Sequence, residues 1–155
     1  MTVRALAIII PAMVLALVAV GCSSDTSATT DHAPTRAAFI KRADAVCERT
    51  DGEQKKGQIA FSEEHPKNST KPLEEEAVLT VGLPPVLEEA EELGELTPPE
   101  GDEARVEAIV KGLEEAVKKA EAKPSVLLTE GSSGPFAEVF KLAREYGFKA
   151  CATPL

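Results

Sequence analysis

Val106-Glu107-Ala108-Ile109-Val110-Lys111-Gly112-Leu113-Glu114-Glu115-Ala116-Val117-Lys118-Lys119-Ala120 decides the fold class. Val106, Val110, Leu113, Val117 and Ala120 recur in steps of four and three, the seam of a helix that lays one apolar stripe against its neighbours. On the outer side Glu107–Lys111, Glu114–Lys118 and Glu115–Lys119 stand at i,i+4 in the favourable order. Gly112 costs about 1 kcal/mol relative to Ala inside a helix. It falls between Ile109 and Ala116 on a flanking stripe, which points to a close approach by another helix. Asp102 caps this helix after the turn Leu96-Thr97-Pro98-Pro99-Glu100-Gly101, and Pro124 ends it.

Toward the C-terminus, a Ser/Gly loop at 132–134 and Pro135 open a last helix whose apolar face is Phe136, Val139, Phe140, Ala143 and Tyr146. Gly147 is placed as its left-handed cap, with Phe148 folding back on Leu142 or Ala143. Toward the N-terminus, Val86, Leu87, Ala90 and Leu93 share a face. Leu73, Ala77, Val78 and Val81 share another, entered through Ser69 or Thr70 and Pro72. Pro84-Pro85 breaks or kinks the path between them. A first helix starts at Thr35 behind Pro34 and carries Phe39, Ala43 and Cys47 on one stripe. Gly52 and Gly57 weaken its continuation, Ile59 and Phe61 extend or follow it, and 65–68 is a loop. Every strong period is near 3.6 and no convincing strand is found. The expected fold is all-α, a bundle of about four helices over residues 35–155.

The start of the chain fixes where this bundle works. Arg4 and an apolar stretch from Ala5 to Val20, broken by Pro11, lead to Ala19-Val20-Gly21-Cys22-Ser23-Ser24. The stretch is short for a membrane span, which takes about 20 residues, and reads as a secretory signal over residues 1–21. Cys22 stands where a lipobox requires its cysteine. Ordinary cleavage after small residues and a retained anchor are the rival readings. Residues 22–34 then make a lipidated Cys and a polar tether with a reach near 20 Å. His32 in that tether reads as solvated.

The full chain has 17 Lys and Arg against 26 Asp and Glu, and losing Arg4 with the leader moves the side-chain balance from −9 to −10. Nucleic-acid binding needs clustered cations and is excluded as a class. With Cys22 used for lipid, Cys47 and Cys151 remain, an even pair that reads as one disulfide in an exported domain, against two buried thiols. Five of the six aromatic residues flank these two cysteines, which places the first and last helices together around the bond.

Phe39-Ile40-Lys41-Arg42-Ala43-Asp44-Ala45-Val46-Cys47 and Leu142-Ala143-Arg144-Glu145-Tyr146-Gly147-Phe148-Lys149-Ala150-Cys151 resemble the two ends of a family of small actinobacterial-type lipoproteins. Leu96-Thr97-Pro98-Pro99 and Gly101-Asp102 fit the same pattern. The resemblance implies a helical extracytoplasmic domain with one disulfide and supplies no activity for named residues.

Catalytic signals are thin. Glu63-Glu64-His65 is too local to converge on a metal, and Glu74-Glu75-Glu76 and Glu88-Glu89-Glu91-Glu92 read as the wet faces of helices. No catalytic, cofactor-binding or metal residues are assigned, and the chain is expected not to be an enzyme. The expected role is a lipid-anchored, non-catalytic module at the extracytoplasmic face of the cell membrane, binding protein, peptidoglycan or lipid. A small-ligand binder with a pocket between helices is the alternative, and an envelope enzyme without a recognisable motif the second.

Overall fold

The computed structural model describes residues 33–66, 70–131 and 134–153, all within the unit Asp31–Leu155. The leader, Cys22, the tether as far as His32, and Ser69 lie outside the described residues. The described residues are helical and contain no strand, so the chain is an all-α bundle. Among the described residues, no helix is long and apolar enough to cross a membrane.

Helix α1 spans Arg36–Glu64, and the Thr35 hydroxyl caps it by accepting from Ala38 N at 3.2 Å. It runs through Gly52 and Gly57 without a break. A Cβ at Gly57 would sit 2.7 Å from Val81 Cγ1, so the glycine permits the next segment to pass close by. The buried stripe is Phe39, Ala43, Cys47, Thr50 and Gln54, and its second half is polar or exposed.

Helix α2 (Lys71–Ala77), a π-helical turn (Val78–Gly82) and α3 (Leu83–Glu95) form one continuous helical path. Of the two outcomes expected at Pro84-Pro85, a break or a kink, the break is absent. A proline ring collides with the carbonyl four residues back. Here the turn before it is widened, with Leu83 N–H reaching Val78 O, so the prolines enter the first turn of α3 without interrupting it. The buried face of α3 is Leu83, Val86, Glu89, Ala90 and Leu93. Leu87, expected inside, is 38% exposed, and Glu89, expected in water, is 5% exposed.

Helix α4 (Glu103–Ala122) buries Val106, Ile109, Leu113, Ala116, Val117 and Ala120. Val110 is half-buried, so the inward stripe is broader than the expected seam and takes in the flanking Ile109 and Ala116. Of the three outer pairs, Glu107–Lys111 is closed at 2.5 Å. At Gly112 an added Cβ would stand 3.1 Å from Val139 Cγ2 and 3.2 Å from its Cβ, which accounts for the glycine by the approach of α6. A short helix α5 (Ser125–Glu130), not expected, follows Pro124.

Helix α6 (Ala137–Tyr146) buries Val139, Phe140, Ala143 and Tyr146, with Phe136 buried at its entry. Gly147 takes φ +112° and bonds back to Arg144 O at 3.1 Å, while Phe148 N–H returns to Ala143 O at 3.0 Å. Those two bonds are the Schellman closure. In the bundle, α1 and α4 lie along α3, and α6 lies along α4. The first and last helices meet chiefly through rings: Phe39 and Tyr146 pack edge to face at 6.0 Å, and Phe148 lies 6.1 Å from Phe39 and 4.9 Å from Tyr146.

Candidate functional site

Three polar nodes sit where the helices converge. The first closes the C-terminal strap, residues 147–152, onto α1. Asp44 and Cys47 are three residues apart and point the same way. Asp44 Oδ1 accepts from Lys149 N and Ala150 N at 2.9 Å and from Cys151 N at 3.4 Å. Cys47 is bonded to Cys151, with S–S 1.99 Å and Cα–Cα 5.2 Å across 104 residues. Arg144 Nη1 donates to Ala152 O at 3.2 Å from the other side. The strap, having no regular ladder of its own, is thus held by one carboxylate, one disulfide and one guanidinium.

The second node lies at the entry of the domain. Asp102 occupies the residue before α4, but its carboxylate makes no cap bond. It turns inward and accepts from Arg36 Nε at 2.7 Å, Arg36 Nη2 at 2.5 Å and Tyr146 Oη at 3.1 Å. The expected cap role of its side chain is therefore replaced by a bridge, because a bidentate guanidinium is the stronger donor. The Arg36 guanidinium holds the Asp102 carboxyl below its usual range against the opposing effect of burial. Burial, then the Asp102 bond, pushes the Tyr146 hydroxyl up to about 12. Arg36 also lies over the Tyr146 ring, 5.4 Å from its centroid.

The third node is the interior face between α1 and α3. Glu89 Oε2 accepts from the Thr50 hydroxyl at 2.8 Å, and that hydroxyl also lies 3.1 Å from Cys47 O. Burial pushes the Glu89 carboxyl up to about 7, the Thr50 bond opposes, and the Asp51 carboxylate pushes further up. A carboxylate oxygen of Glu89 and the two sulfurs of Cys47 and Cys151 all lie within 4.8 Å of one another. On the surface above, Arg49 spans Glu53 and Glu88 at 2.9 Å and Glu92 at 2.5 Å, tying the two helices at partly exposed positions.

Open grooves flank the second node. One, of about 410 Å³, runs between α4 and α6 over Ala108, Ile109 and Leu142, with Arg105 and Glu145 lining it and Tyr146 at its side. Another, of about 550 Å³, lies between Thr35–Arg36 and Pro99–Asp102. The first pairs an apolar floor with one cation and one carboxylate, which suits a small amphipathic group or a short side chain from a partner. No buried side-chain nitrogen or oxygen among the described residues lacks a hydrogen-bond partner.

No family model, no curated protein and no solved structure matches the chain.

Cys47 and Cys151 come together as expected, while Cys22 lies outside the described residues. Glu63, Glu64 and His65 are exposed at the end of α1, with the His65 ring tilted against Phe61, 4.5 Å between centroids. Among the acidic runs, Glu74, Glu76, Glu88 and Glu91 are exposed and Glu89 is not. From the sequence, Asp102 had only a capping role, Glu89 was placed on a wet face, and Asp44 had no role. For Glu89 a signal existed, since it lies three residues after Val86 and four before Leu93, on the apolar face rather than opposite it.

Proposed function

We propose that the chain is a lipid-anchored extracytoplasmic envelope protein whose helical domain is a non-catalytic interaction module. The observation that carries the reading is how the reactive side chains are used. Asp44, Asp102, Arg36 and Tyr146 are committed to holding the strap and the domain entry. The leader, Cys22 and the polar tether support export and anchoring, and the disulfide is of the kind that persists in an oxidising compartment. A protein, peptidoglycan or lipid partner then meets the outer surface of the bundle.

The groove between α4 and α6 favours one further reading, a small ligand seated over Ile109 and Leu142 between Arg105 and Glu145. The two readings separate in one experiment. Wild type is expected in the detergent phase of a phase separation and Cys22→Ala in the aqueous phase or stalled unprocessed. A photo-cross-linking residue at position 142, in intact cells, then reports a macromolecular adduct for a module. Aqueous partitioning of wild type overturns the anchor. The absence of any adduct, with a small molecule retained after purification, transfers the groove to the second reading.

A further inference from the structure

The other buried carboxyl, Asp102, has an obvious reason for its charge, since a guanidinium faces it. Glu89 has none. It faces a hydroxyl and an uncharged disulfide, and the nearby Asp51 adds negative potential rather than relieving it. A Gln there would satisfy Thr50 without carrying a charge into the interior. The three side chains make better sense as a donor set. We propose that, once the disulfide is reduced, Cys47, Cys151 and Glu89 form a buried thiolate–carboxylate site for a zinc-type divalent cation. The end of the chain is then held to α1 by a covalent bond in the oxidised protein, or to both α1 and α3 by a metal in the reduced one.

The chemistry balances in two steps. Two molecules of a small thiol each give one electron and one proton to the S–S bond. They leave as their own disulfide, and Cys47 and Cys151 become thiols. The cation then replaces the two thiol protons, and the carboxyl proton where Glu89 carries one, forming two metal–sulfur bonds and one metal–oxygen bond. Two thiolates with one carboxylate select zinc over magnesium or calcium, which take oxygen donors. Tetrahedral zinc with bonds to sulfur of about 2.3 Å sets its sulfurs roughly 3.8 Å apart. Rotation of the two side chains opens that gap while the Cα atoms stay 5.2 Å apart, and the carboxylate oxygen already lies within 4.8 Å of both sulfurs. Three protein donors leave a fourth position for water. The Asp51 carboxylate, unfavourable beside an ionised Glu89, becomes favourable beside a cation.

The test uses the full chain in detergent with Cys22→Ser, which removes the third thiol. After reduction and removal of the reductant, cobalt(II) is titrated as a spectroscopic probe and then displaced with zinc. The expected result is a one-to-one complex with a thiolate-to-cobalt charge-transfer band, present only in the reduced protein. Cys151→Ser should lose that band, and Glu89→Gln should weaken zinc by more than about tenfold. Should reduction unfold the domain, zinc is expected to restore its helical circular dichroism. The proposal is overturned if reduced and oxidised protein bind equally, if Glu89→Gln binds as wild type, or if zinc fails to restore an unfolded reduced chain.

Discussion

The two ends of the bundle are built differently. At one end, the first half of α1, α4, α6 and the C-terminal strap bury Phe39, Cys47, Leu113, Val117, Phe140, Tyr146 and Phe148, and all three polar nodes lie there or at its border with α3. At the other end, α2, the π-turn and α5 bury no residue fully, and Ile59, Leu79 and Leu128 are 61%, 42% and 42% exposed. The first end is fixed by buried rings, a disulfide and polar bonds distant in sequence, the second chiefly by local helix bonds, the Gln54 Nε2–Gly82 O bond at 2.8 Å and the close approach at Gly57. Burial of apolar area is the main source of stability, so the first end should set global unfolding and the second should open locally.

The largest effect is expected from the bond that closes the rigid end. Reducing Cys47–Cys151 without added metal should lower the melting temperature by about 10 °C, from about 2–4 kcal/mol, typical of a disulfide, and a few degrees per kcal/mol. An unchanged midpoint after complete reduction would show that Asp44 and the ring trio hold the strap alone.

Next comes Glu89 in the oxidised protein. Its folded value, about 7, lies above the ordinary 4.5. The folded state therefore binds more protons than the unfolded chain between those limits. The stability associated with the neutral form is full below about pH 4.5 and lost as pH rises through about 7. Glu89→Gln should stabilise the domain at pH 8 by on the order of 3 kcal/mol and make no difference near pH 4, measured by denaturant unfolding at both values. Equal stability of the two proteins at pH 8 would contradict the burial of an ionisable group there.

Asp102→Asn should cost several degrees, less than reduction, because Arg36 is half exposed and regains water. Asp102 is held below its usual value. Its contribution is present above the ordinary carboxylate range and fades as pH falls through the folded value, so the deficit of the variant should shrink in strong acid. A deficit that does not vary with pH would point to packing rather than charge.

The two glycines sharpen the contrast between the ends. Gly112→Val presses on Val139, whose Cβ is fixed to the backbone of α6, and should cost about 1–3 kcal/mol by overpacking. Gly57→Ala meets the tip of a half-buried Val81 and gains up to about 1 kcal/mol of helix propensity, so its net change should be smaller. Equal losses at the two sites would erase the distinction.

The legible part of the sequence follows this division. Phe136, Val139, Phe140, Ala143 and Tyr146 were readable because one face is apolar throughout, and Gly147 because only a left-handed residue closes that helix. Pro84-Pro85 was only half legible: it marks an irregular turn but not a break, since the rule that proline ends a helix assumes an α-turn before it and here the turn is π-helical. Leu87 and Glu89 exchanged places because hydrophobicity was read ahead of angular position. Asp102 carried a good cap signature, and only the arrival of Arg36 and Tyr146, 66 and 44 residues away in the chain, redirected it. Long-range partners of that kind leave no local trace.

Native-state hydrogen exchange read by mass spectrometry tests the two-ended account most directly. Amides within 39–50, 106–120 and 139–146 are expected to exchange only through global unfolding. Those within 71–82 and 125–130 should exchange much faster, with little sensitivity to reduction of the disulfide. Uniform protection across both sets, or faster exchange in the first set, would contradict it.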